Sequence, residues 1–143
     1  MLNTASIGAP RLSNYNSQEA LKQYRQLGLE THINNASPHR LIQLLMEGAL
    51  ERLIAAQAAM ERGDTATKGV LIGKTMGIIS GLRSALDMNV QDTNLPENLD
   101  NLYDYMGRQL LEASMHNNVA IVVEVIGLLS TIKSGWDGIE QQV

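Results

Sequence analysis

The chain has 143 residues, the size of one domain, with 44% hydrophobic residues and a net charge of −4. The acidic balance argues against a nucleic-acid partner and against an anionic membrane surface. The absence of cysteine excludes disulfides, thiol catalysis, cysteine-based zinc sites and covalent haem attachment, and it suits a reducing cytosol.

In chain order, residues 1–16 read as a flexible N-terminal tail and 17–143 as a single domain. The opening MLNTASIGAPRLSN has neither the basic start nor the apolar run of a signal peptide. No apolar run reaches the ~20 residues that span a bilayer, so no membrane insertion is expected. A short helix is predicted from Ser17 to about Ile33, with Leu21, Tyr24 and Leu27 three apart. Ser37 and Pro38 then have the residue types of a helix cap and first position. Ile42, Met46, Ala49, Leu53, Ala56 and Met60 recur at steps of four and three, and Gly63 ends the run. Leu41, Leu44 and Leu45 widen this apolar face in its first turns.

Asp64 can cap a third helix reaching about Met88, with two seams, Leu71–Ile78–Leu82–Ala85 and Ile72–Ile79–Leu86. Residues 94–96 read as a connection. A fourth helix carries Leu99, Leu102 or Tyr103, Met106, Leu110 and Ala113. Asn117 and Asn118 break it, and Asn118 can cap a fifth with Val122, Val125, Leu129, Ile132 and Trp136. No segment alternates like a strand. The predicted fold is all-α, an antiparallel four-helix bundle with an additional short N-terminal helix.

Two features stand apart from this periodicity. Gly69, Gly73, Gly77 and Gly81 lie four apart in the third helix, each costing roughly 1 kcal/mol against alanine. Such a strip suits tight packing on a neighbouring helix or the floor of a groove for a partner helix. The second feature is Tyr103 and Tyr105, in a chain with four tyrosines, one tryptophan and no phenylalanine. Residues two apart on a helix point about 200° from each other, so both cannot face one core. Around them Asp87, Asp92, Glu97, Asp100 and Asp104 lie in a stretch without Lys or Arg, which reads as a solvated acidic loop and helix start.

Catalytic signatures are missing. Glu112 and His116 are four apart, with no repeated Glu-x-x-His motif for a di-iron bundle. The seven methionines read as core rather than haem ligands. A phosphotransfer bundle needs an exposed helical histidine. His39 is the candidate, but it sits in a first turn and is followed by Arg40-Leu41-Ile42 rather than Lys-Gly. No cofactor is expected.

The runs NNASPHRLIQLLMEGALERLIAAQAAMERGD, LYDYMGRQLLEAS and EVIGLLSTIKSGW, with QYRQ before them, resemble the flagellar secretion chaperone family FliS. The resemblance extends from about Leu21 to Trp136, and the four-glycine register lies outside it. It implies a cytosolic bundle with no enzymatic step that binds the C-terminal region of flagellin. Such a chaperone prevents premature polymerisation and helps deliver subunits to the flagellar export apparatus. By the same resemblance, the N-terminal segment can cover part of the binding surface when no client is present. The implied partner-binding residues are Leu21, Tyr24 and Leu27 in the N-terminal cap, Leu41, Leu44 and Leu45 in the grooves, and Tyr103 and Tyr105. A monomer or weak dimer is expected. A phosphotransfer bundle and a structural oligomerising bundle are the rival readings.

Overall fold

The computed structural model describes residues 14–28, 36–90 and 92–139; residues 1–13, most of the expected tail, lie outside them, as does the stretch 29–35. Asn16 opens the first helix, α1 (Ser17–Leu27), by accepting from Glu19 N at 2.9 Å. Gly28 closes it in the left-handed conformation, φ 63°. The helix expected to reach Ile33 therefore stops at Leu27, at a residue with no Cβ to oppose that turn.

The second helix, α2 (Pro38–Glu61), starts as its sequence requires: Ser37 Oγ accepts from Arg40 N at 3.1 Å, with Pro38 in the first turn. Gly63, at φ 76°, turns the chain, and Asp64 caps α3 (Thr65–Ser84) by accepting from Thr67 N at 3.1 Å. That helix ends at Ser84, short of the expected Met88. The cause is a competing backbone partner. Tyr15 and Leu86 form an isolated antiparallel bridge, in which Ala85 O accepts from Asn16 N at 2.6 Å and Asn14 O accepts from Asp87 N at 2.8 Å. Thr93 Oγ1, rather than Asn94, accepts from the first N–H of α4 (Leu95–His116), at 3.1 Å. Asn117, at φ 49°, ends α4, and Asn118 caps α5 (Val119–Asp137).

Helices α2, α3, α4 and α5 pack in a ring, each against the next and α5 back on α2, while α1 lies across α2 and α3. Side-chain ties fix the directions. Lys68, near the start of α3, donates to Ser114 O near the end of α4 at 3.0 Å. Arg83, near the end of α3, holds Asp100 and Asp104 in the first turns of α4 at 2.6 and 3.1 Å. Gln43 in α2 reaches Asp137 at the end of α5, 2.8 Å away. Neighbouring helices are thus antiparallel, and the fold is the expected four-helix bundle with a short helix added.

The core matches the apolar periodicity. Ile42, Met46, Ala49, Leu53 and Ala56 of α2 meet Ile72, Ile78, Ile79 and Leu82 of α3, and Tyr103, Met106 and Leu110 of α4 meet Val122, Val125 and Leu129 of α5, all buried. Tyr103, not the partly exposed Leu102, takes the core position. The expectation that no run is long and apolar enough to cross a membrane fails for α5, which passes by length and composition. Its buried residues nevertheless serve as one wall of the bundle core.

Candidate functional site

The amphipathic face of α1 explains half of the glycine strip. Ala20 and Tyr24 are buried, and Leu21 and Leu27 pack partly buried against the core. A Cβ on Gly81 would come within 3.2 Å of Gln23 Cβ and 3.4 Å of Leu27 Cδ1, and one on Gly77 within 3.5 Å of Leu27 Cδ2. Glycine at these two positions lets α1 approach α3 closely. At Gly69 and Gly73 an added Cβ would meet nothing within 4 Å. There the groove continues as a cleft of about 460 Å³, lined by Leu27 and Gly28 at the end of α1, Arg52 of α2, and Gly69, Gly73 and Lys74 of α3. Both readings of the register therefore hold, each over part of its length.

On α2, Leu41, Leu45, Gly48 and Arg52 follow one another at steps of four, three and four, which places them on one side of the helix. Arg52 borders the cleft beside Leu27, so this side faces the α1 groove. Leu41 and Leu45 are buried and Leu44 partly so. Six of the eight expected partner-binding residues thus gather around one groove, already filled over part of its length by the chain's own helix.

The other two divide as their 200° separation requires. Tyr103 is 1% exposed, and its hydroxyl lies 2.6 Å from that of Tyr15. Tyr15 also meets Trp136 edge to face, with centroids 5.2 Å apart. Burial, with the neighbouring Tyr103 in second place, pushes the Tyr15 phenol well above its usual range. Burial likewise raises Tyr103, against a smaller lowering by the hydrogen bond from Tyr15. Both stay protonated. Tyr105 is partly exposed and donates to Glu124 Oε2 of α5 at 2.8 Å, with the Arg108 guanidinium 5.9 Å from its ring centroid.

His39 does not meet the requirement of a phosphotransfer histidine. It is buried, not exposed. Its ring stacks on Trp136 at 4.9 Å, its Nε2 donates to Trp136 O at 2.7 Å, and Trp136 Nε1 returns a bond to His39 O at 3.0 Å. This reciprocal pair joins the start of α2 to the end of α5 and leaves the imidazole closed to a phosphoryl donor. Among the described residues no group of three or more His, Asp or Glu side chains could hold a metal ion. The acidic stretch is partly neutralised, since Arg108 first, and then Arg83, hold the Asp104 carboxyl below the usual range.

Asn14 and Tyr15 are the residues that helical periodicity missed. Both fall in the segment read as tail, and both are buried. Their partners lie 70 residues or more away along the chain. The only local signal was the rarity of tyrosine itself.

The family model described as "Flagellar protein FliS" matches residues 20–143. The chain belongs to the FliS family. It is 52% identical over 123 residues to the flagellar secretion chaperone FliSB of Pseudomonas aeruginosa, covering 86% of this chain and 97% of that one. It is 40% identical over 120 residues to the flagellar secretion chaperone FliS of Vibrio cholerae, covering 84% and 88%. The Bacillus subtilis FliS is 29% identical over 107 residues, 75% of this chain and 78% of that one. The FliS match thus takes in α2 to α5 entirely and all but the first turn of α1. The resemblance carried by the Ser37-Pro38 start, the Tyr103–Met106 segment and Trp136 is borne out. These FliS relatives are named chaperones, which is consistent with a site made of apolar grooves rather than of reacting groups.

Proposed function

We propose that this chain is a cytosolic chaperone that binds the C-terminal region of flagellin in the α2–α3 groove, keeps the subunit from polymerising early, and helps pass it to the flagellar export apparatus without any catalytic step. The observation that carries this reading is α1 itself. An amphipathic helix seated on Gly77 and Gly81, in a groove that runs on past its end, demonstrates the shape of segment the groove accepts. A client that folds on binding must offset its ordering entropy with apolar contact, which helical anchors at steps of three and four provide. The groove walls are short aliphatics and glycine rather than rigid aromatics, so different side-chain patterns can be taken. In this reading α1 is the occupant that flagellin replaces, and the working form is a monomer or weak dimer.

The direct test is titration of the full chain with flagellin and with flagellin lacking its C-terminal segment. Binding is expected only with the intact protein. Equal affinity for both would move the contact elsewhere on flagellin. No affinity for either, with self-association that grows with concentration, would favour a structural bundle instead.

Tyr105 supplies a further expectation. It offers a partly exposed ring outside the core, so Tyr105→Ala should shift stability by only about 0.5–1 kcal/mol. As an interface anchor its loss should weaken flagellin binding by on the order of 1–2 kcal/mol. Unchanged affinity in the same titration would remove Tyr105 from the interface.

A further inference from the structure

A second cleft, about 350 Å³, opens on a different side of the bundle from the α1 groove. Its walls are Leu95, Leu99 and Leu102 in the first turns of α4 and Ile132, Gly135 and Trp136 in the last turns of α5, with Asn14 and Tyr15 beside them. On each helix these residues are spaced three and four apart or adjacent, so the walls run along about two helical turns, roughly 10 Å. Gly135 leaves a gap in the α5 wall, since a Cβ there would meet nothing within 4 Å.

The polar groups in this wall are satisfied with one exception. Tyr15 shares its hydroxyl with Tyr103, Trp136 Nε1 donates to His39 O, and Thr131 Oγ1 donates to Gly127 O. Asn14 is 3% exposed, and its Oδ1 has no hydrogen-bond partner. A buried acceptor without a donor is costly, and native structures retain few of them. Turning the Asn14 amide over would only exchange one unmatched end for the other. The walls offer apolar area everywhere else.

We infer that this α4–α5 cleft is an anchor site for a helical segment of a partner protein, which inserts one tryptophan or tyrosine side chain and gives its N–H or O–H to Asn14. The chemistry selects the occupant. A purely aliphatic anchor would leave Asn14 unmatched, and a charged one would be stripped of water against leucine and isoleucine. An aromatic ring with a single polar handle satisfies both walls and acceptor, and the two-turn length suits an amphipathic helix lying along the groove. The inference is independent of the flagellin reading, because it concerns a different groove and its test uses no flagellin.

The test is an NMR titration of the ¹⁵N-labelled full chain with two amphipathic helical peptides that differ at one apolar-face position. One carries tryptophan there, the other benzothienylalanine, which has the same shape without the N–H. Free indole serves as a third probe. The tryptophan peptide is expected to shift the amides of Leu99, Leu102 and Gly135 and to bind about tenfold tighter than its partner. Asn14→Leu should level the two affinities without lowering the melting temperature, since it removes an unmatched acceptor. Gly135→Leu should fill the gap and abolish both. Equal affinity of the two peptides for the unaltered chain would overturn the role of Asn14. If neither peptide nor indole moves those amides, no aromatic side chain enters and the inference fails. Self-association that disappears in Gly135→Leu would assign the cleft to a second copy of the chain and overturn it as well.

Discussion

Tyr103→Ala is expected to destabilise the bundle by about 3–5 kcal/mol, the usual cost of truncating a buried aromatic. Most domains have only about 5–15 kcal/mol to lose, so the variant should melt far lower or fail to fold. The expectation rests on 1% exposure at the centre of α4 and on the hydroxyl pair with Tyr15, which holds the segment before α1 against the bundle. Tyr103→Phe separates these two contributions. It keeps the ring and strands the Tyr15 hydroxyl, so a loss of about 1–2 kcal/mol is expected. Alkaline melts add a second check. Burial raises the folded-state pKa of Tyr15 and of Tyr103 above their unfolded values near 10. Above that pH the unfolded chain releases phenolic protons that the folded chain retains. Stability should therefore be full below about pH 10 and fall above it, by about 1.4 kcal/mol per pH unit for each such phenol. The fall should be shallower in Tyr103→Phe. Melts in which Tyr103→Ala is as stable as the unaltered chain, or in which both proteins lose stability equally above pH 10, would contradict the burial of this residue.

The division between Tyr103 and Tyr105 shows which information local sequence holds. Two residues on one helix cannot share a face, and the Leu99–Met106–Leu110 stripe selects Tyr103 for the core. Helix caps are local too: Ser37, Asp64 and Asn118 each accept a hydrogen bond from an N–H three residues on. The failures have the opposite character. Leu86 continues an apolar seam of α3, yet it is buried by pairing with Tyr15 rather than by staying helical. His39 looked exposed because its cover, Trp136, is 97 residues away. The glycine register showed that something must come close to α3, but nothing in its spacing could say that α1 comes close at Gly77 and Gly81 and not at Gly69 and Gly73. The candidate groove was legible as two leucine-rich stripes. Its partial occupation by the chain's own helix was a tertiary fact.

That occupation sets the largest effect expected on binding. Tyr24→Ala should raise flagellin affinity at least tenfold while leaving the four-helix bundle folded. Tyr24 is 1% exposed and the main aromatic anchor of α1. If α1 and the client compete for one groove, apparent affinity is the intrinsic affinity multiplied by the fraction of molecules with the groove open. Truncating the anchor weakens α1 docking by several kcal/mol, and every 1.4 kcal/mol opens the groove about tenfold more often until it is mostly open. Gly81→Leu is the discriminating control. Its side chain would press on Gln23 Cβ and Leu27 from below and should release α1 as well, but it also fills the floor that the client needs. Both variants should therefore free α1, seen as faster amide exchange over residues 17–27, while only Tyr24→Ala gains affinity. A gain in both would mean that the client binds elsewhere and α1 acts on it at a distance. A loss in Tyr24→Ala would make α1 part of the client's seat rather than its competitor.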